Sequence, residues 1–216
     1  MLMLKNMAMA VDNVRTTLKK ISSELDDVEH RREVLIKGTR AVIMKCSKSI
    51  VALHRRRTED AAELLKEAQS ELYSLKTQAS NDLEKYLVNA EQELVEAYQI
   101  KCVYEKANLA GIEDLNVANS SYLLGLLDSI GEIKRMIYDN LRSERISDAL
   151  NLFALMEDLY SSLYPLSVYD NIIPGIKRKL DIANLIIENA RSTLTEESSR
   201  ESLIKRLDSF EKQRGS

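Results

Sequence analysis

The sequence predicts an all-α protein of seven helices, with a very long helix at the N-terminus. Three observations carry this. Only two prolines (Pro165, Pro174) and six glycines punctuate the 216 residues, so few positions can break a helix. Leu, Ala, Glu, Lys, Ile and Arg are abundant, and most of these lose little on entering a helix. Apolar residues recur three and four apart over long stretches, whereas the alternating runs that mark strands are few. No linker, repeat or low-complexity segment divides the chain, so residues 1–216 are expected to form a single domain.

The first helix is expected to cover about the first 55 residues, which hold no proline and only Gly38, the one place for a bend. On a helical wheel Leu35, Val42, Ile43, Cys46, Ile50 and Leu53 gather on one side, while Lys37, Arg40, Lys48 and Arg55 gather on the other. "RRRTED" interrupts, with Thr58 as N-cap and Glu59 and Asp60 favourably placed in the first turn of a second helix ending near Ala79. Asn81 and Glu84 stand at capping-box spacing ahead of a third helix, expected from about 82 to 108. "NLAGIEDLNVANSS" reads as the longest loop. A fourth helix over about 120–142 and a fifth over about 147–163 flank "SERISD", and "YPLSVYDNIIPG" is a loop holding both prolines. A sixth helix over about 175–195 and a seventh in "TEESSRESLIKRLDSFEKQ" complete the chain.

Charge and cysteine content exclude several classes. The net charge of -3 means that nucleic-acid affinity must come from a local patch, not from bulk charge. Cys46 and Cys102 lie in helical patterns without a partner at metal spacing, as packed, reduced thiols of an intracellular protein do. The opening "MLMLKNMAMAV" is apolar, but Lys5, Asn6 and Asp12 interrupt it before it could span a membrane. No membrane partner is expected, and a cytoplasmic location is. A dinuclear iron bundle would need Glu-x-x-His twice, and the only histidines, His30 and His54, are not so placed. Motifs for Ser/His/Asp or Cys/His nucleophiles and for phosphate-binding glycine loops are absent.

What remains is a set of helical carboxylates. On the helix of "YLLGLLDSIGEIKRM", residues 122–136, Asp128 and Glu132 share a narrow face with Ser121, Gly125 and Arg135, all within about 60° of Asp128. Leu123, Leu126, Leu127, Ile130, Ile133 and Ile137 occupy the opposite side. Two readings are open: a solvated strip paired with Arg135 or Lys134, or a functional pair beside which Gly125 leaves room for an ion or a substrate backbone. The third helix is apolar nearly all round and so should be buried on most faces, yet it carries Glu93 and Glu96 as surface neighbours. Buried carboxylates need cations, hydrogen bonds or a metal. If the two helices are adjacent, the four acids would form an all-oxygen site suited to Mg²⁺, or Mn²⁺ in its place, rather than zinc. Such a site points to phosphoryl chemistry.

The basic side of the first helix, extended by Arg31, Arg32, Arg56 and Arg57, is the candidate nucleic-acid surface. With few aromatics beside it, contacts to phosphates would dominate over base stacking.

These motifs carry a resemblance. "ELDDVEHRREVLIKGTRAVIMKCSKSIVALHR" (24–55), "QELVEA" (92–97) and "YLLGLLDSIGEIKRM" resemble segments of the translin family, most closely its branch of translin-associated factor X (TRAX) proteins. The matches spread over about residues 24–195, and the two middle motifs are the most specific. The resemblance implies a translin-like seven-helix bundle that assembles, without a translin partner, into a homo-octameric shell. It further implies a Mg²⁺-dependent endoribonuclease acting on single-stranded RNA, with the alternative of a non-catalytic binder of single-stranded RNA or DNA. The family's catalytic, metal-binding carboxylates fall on Glu93, Glu96, Asp128 and Glu132. Translin itself has an apolar residue where Asp128 stands, which makes this chain similar to the catalytic type. Lys37, Arg40, Lys48, His54 and Arg55 are the RNA-contact candidates; His54 could equally be a packed helix-end residue.

Overall fold

The computed structural model describes the backbone of residues 2–80 and 82–214, and the side chains of residues 11–80 and 82–212. The capping role expected of Asn81 and the apolar side chains of the first ten residues lie outside these. Among the described residues the chain forms seven α-helices and no strand: α1 (Leu2–His54), α2 (Thr58–Gln78), α3 (Val88–Glu105), α4 (Ile112–Leu115), α5 (Asn119–Arg142), α6 (Ile146–Leu163) and α7 (Ile176–Arg214). Short 3-10 turns occupy Glu84–Tyr86 and Tyr164–Tyr169.

The all-α class and the long first helix are as expected, but the partition differs. The sixth and seventh expected helices are one, because no Gly or Pro follows Gly175 before the chain's last few residues and nothing interrupts α7. The seventh place is taken by α4, a single turn inside the expected loop. Thr58 is the first helical residue rather than the cap, which is Arg57, after Arg56 turns the chain in the left-handed region at φ 59°. α3 starts at Val88, later than expected, because residues 84–86 wind more tightly. α1 passes through Gly38 as a helix; an added Cβ there would fall 2.5 Å from Leu75 Cδ2, so this glycine serves the close crossing of α1 and α2.

α1 packs on α2 and α3, α5 lies against α3, α6 and α7, and α6 against α7. Leu35, Val42, Cys46 and Leu53 of α1 meet Leu65 and Leu72 of α2, Leu94 and Ile100 of α3, and Ile130, Ile133 and Ile137 of α5 in one core. Met156 of α6 and Ile176 and Leu180 of α7 close it. α3 is central, touching α1, α2 and α5. That position explains why its sequence is apolar on most faces.

The loop after α3 is pinned by side chains. Buried Gln99 donates to the Ala110 carbonyl at 2.9 Å and accepts from the Ala110 amide at 3.0 Å. Buried Glu91 pairs with Lys76 at 2.9 Å and accepts from the Ala118 amide at 3.3 Å, so its charge is structural. Both cysteines are free thiols. No helix of the described residues is long and apolar enough to cross a membrane.

Candidate functional site

The crossing of α3 and α5 positions the site. At Gly125 an added Cβ would lie 2.6 Å from the Gln92 carbonyl oxygen and 2.7 Å from Val95 Cβ. The backbone of α3 therefore fills the space beside Gly125, which corrects the expectation that this glycine leaves room for an ion or a phosphate. Its missing side chain lets the two helices approach closely, and the charges of Asp128 and Glu132 on α5 reach Glu96 on α3.

Glu93 and Glu96 sense the acids around them. Burial, then the charges of Glu93, Asp128 and Glu132, push the Glu96 carboxyl up to about 8, with Lys179 opposing. Burial and Asp128 likewise raise Glu93, again against Lys179. Beneath them Cys46 is held as a thiol, pushed up to about 12 by burial and by Glu93 and Glu96. Among the described residues, no three His, Cys, Asp or Glu side chains are grouped to hold a metal ion as they stand.

Partners from other helices enter the cluster. Lys179 of α7 pairs with Asp128 Oδ2 and donates to Gln92 Oε1 at 3.0 Å and to the Leu124 carbonyl at 3.4 Å. Glu132 Oε2 lies 2.7 Å from His54 Nε2 and 3.7 Å from Arg135 Nη1. The other ring nitrogen, Nδ1, is 3.0 Å from the Tyr104 hydroxyl and 3.5 Å from Asp139 Oδ2. The His54 side chain is only 6% exposed.

The surface candidates divide accordingly. Lys37, Arg40 and Lys48 are exposed on α1 and Arg55 in the turn that follows it, and Lys37 and Arg40 line a shallow groove with Glu33, Ile36, Ala41 and Met44. His54 faces inward, away from that strip and onto Glu132. Of the residues thought to extend the basic side, Arg31 is bound to Asp27 and Arg32 to Glu29 and the Tyr86 hydroxyl.

Lys179, Gln92, Tyr104 and Asp139 escaped sequence reasoning. Only Lys179 left a signal: in "IKRKL", residues 176–180, it falls between buried Ile176 and buried Leu180 on the core side of α7, where a lysine needs a partner.

Fold and site together define a class: an all-helical bundle in which acidic side chains of α3 and α5 come within electrostatic reach at the crossing of the two helices. The chain belongs to the translin family, whose model matches residues 30–189. It is 25% identical over 194 residues to the uncharacterised protein MJ0175 of Methanocaldococcus jannaschii, covering 88% of this chain and 85% of that one. Among solved structures it is similar to AfC3PO, with a TM-score of 0.79 and 27% identity over 85% of this chain and 98% of that one. A structure of AfC3PO with duplex RNA matches at TM-score 0.79 and 26% identity, over 85% and 97% of the two chains. Apo-NeC3PO shares the fold at TM-score 0.77 and 20% identity, over 83% and 96%.

Proposed function

We propose that this protein is a Mg²⁺-dependent endoribonuclease of the TRAX-like type that cleaves single-stranded RNA as part of a homo-oligomeric shell, an octamer by the family resemblance. The observation that carries this is the arrangement at the α3–α5 crossing: Glu96 lies within electrostatic reach of Glu93, Asp128 and Glu132, which together with burial raise its carboxyl to about 8. An all-oxygen donor set fits a hard cation, and Mn²⁺ would fit the same donors. Glu93, Glu96, Asp128 and Glu132 would hold it. When bound, such an ion supplies Lewis-acid chemistry at a phosphodiester.

The chain's own groups have separate tasks. His54 orients Glu132 through the bond at Oε2, and Tyr104 and Asp139 fix the imidazole from its other side. Glu96, whose affinity for a proton is raised in the ion-free protein, would give that proton up on taking the ion, so that metal binding depends on pH. Lys37, Arg40, Lys48 and Arg55 are placed to contact phosphates from outside.

The duplex RNA bound by AfC3PO supports RNA as the ligand and makes strandedness part of the assay. Cleavage of labelled single-stranded and duplex RNA should require Mg²⁺, stop with EDTA, and be lost in Asp128→Asn. Metal-independent cleavage, or full activity in that variant, would overturn the mechanism. A second reading, a binder of single-stranded RNA or DNA that does not cleave, draws on the Lys179–Asp128 pair, which already gives one carboxylate a cation. It predicts salt-dependent retention of intact RNA whether or not Mg²⁺ is present.

A further inference from the structure

Residues 11–27 of α1 are exposed on every side, and the bundle first touches the helix at Val28. This segment lies ahead of the family-matched residues 30–189. It is not an ordinary polar overhang. Val11, Leu18 and Leu25 take the first position of successive heptads, and Val14, Ile21 and Val28 the fourth. Five of these six are between 44% and 62% exposed.

The register continues into the core, with Arg32 at the one charged first position between Val28 and Leu35. The same heptad positions further along α1 are Arg32, half-buried and bonded to Glu29 and the Tyr86 hydroxyl, and then Leu35, Thr39, Val42, Cys46, Ser49 and Leu53, which are buried against the bundle. Residues 11–27 thus extend the face that α1 uses for packing, and among the described residues no other helix lies on it. A helix without tertiary support gains little from its own hydrogen bonds in water. Covering the stripe would add apolar burial worth about 25 cal/mol per Å².

We propose that residues 11–28 join copies of this chain through a homotypic coiled coil. A second copy is the occupant because heptads with apolar first and fourth positions are complementary to themselves. Thr17 and Ser22, small and uncharged, flank the Leu18 and Ile21 layers and let a neighbouring helix come close. Leucine at the first position with β-branched residues at the fourth favours more than two strands. The inference concerns assembly and does not depend on RNA cleavage or on a metal.

Oxidative cross-linking of full-length protein tests it. Ile21→Cys should give a disulfide-linked dimer on a non-reducing gel, while Lys20→Cys, off the stripe, should not. Adding Leu18→Glu and Leu25→Glu to Val14→Cys should abolish its cross-link, with circular dichroism confirming that the bundle stays folded. No cross-link at Ile21→Cys, or equal cross-linking at Lys20→Cys, overturns the proposal. So does a mixture in which Ile21→Cys links only to Leu207→Cys, which would make the exposed end of α7 the occupant.

Discussion

His54 Nε2 lies 2.7 Å from Glu132 Oε2, joining the last residue of α1 to the middle of α5 across 78 positions of sequence. The bond gives a carboxylate of the candidate site a fixed direction, and it turns inward a histidine that the sequence places beside the basic strip. His54→Ala would leave the Tyr104 hydroxyl and Glu132 without their shared partner. Unfolding by denaturant should show a loss of about 1–3 kcal/mol. RNA cleavage should fall as well, with binding to the outer strip unchanged.

Lys179 neutralises Asp128 from α7 and opposes the raised proton affinity of Glu93 and Glu96. Lys179→Met removes that charge. The variant should unfold at a lower temperature in EDTA and bind Mn²⁺ about tenfold more tightly than the parent, a gain of about 1.4 kcal/mol, read by electron paramagnetic resonance of free Mn²⁺. Equal affinity in the two proteins would show that Lys179 and the ion do not compete.

The pH dependence follows from Glu96. Folded, it binds its proton more tightly than an ordinary carboxyl does, so the native state holds more protons than the unfolded chain between the usual carboxylate range and about 8. Stability therefore falls as pH rises through that window, by up to a few kcal/mol. Urea midpoints measured without divalent ions should drop between about pH 5.5 and about pH 8.5, and Glu96→Gln should flatten the slope.

Gly125 and Gly131 stand on the same helix and should respond oppositely to alanine. At Gly125 the new Cβ meets the Gln92 carbonyl and Val95, so overpacking should destabilise by about 1–3 kcal/mol and separate the paired carboxylates. At Gly131 nothing lies within 4 Å, and the better helix former should stabilise by up to about 1 kcal/mol. Thermal melts of the two variants check the sign at each.

Reversing charge on the outer strip should weaken RNA retention without touching the fold. Lys37→Glu with Arg40→Glu places repulsion on an exposed face. Filter binding at several salt concentrations should show a shallower salt slope, by about one unit for each lost phosphate contact.

Much of this molecule is legible in local pattern. The spacing of Leu35, Val42, Cys46 and Leu53 marks the core face of α1, and the apolar surround of Glu93 and Glu96 marks α3 as buried. Gly125 shows where pattern reading stops. A glycine beside two acids is equally compatible with room for a ligand and with a helix crossing, and only the position of Gln92 and Val95 decides between them. The end of α7 is a similar case, because a polar run reads as a break although nothing in it stops a helix.

By itself the sequence determined the helical class, the uninterrupted first helix and which helices carry the candidate acids and the exposed basic residues. All of these depend on residues within a few turns of each other, where backbone propensity and helical period act. Only the tertiary structure decided that His54 and Lys179 reach Glu132 and Asp128, and that the bundle leaves the heptad stripe of α1 bare. Those outcomes depend on which helix faces which. Close approach at Gly38 and Gly125 and burial of a shared core set that, between residues whose separation along the chain carries no periodic trace.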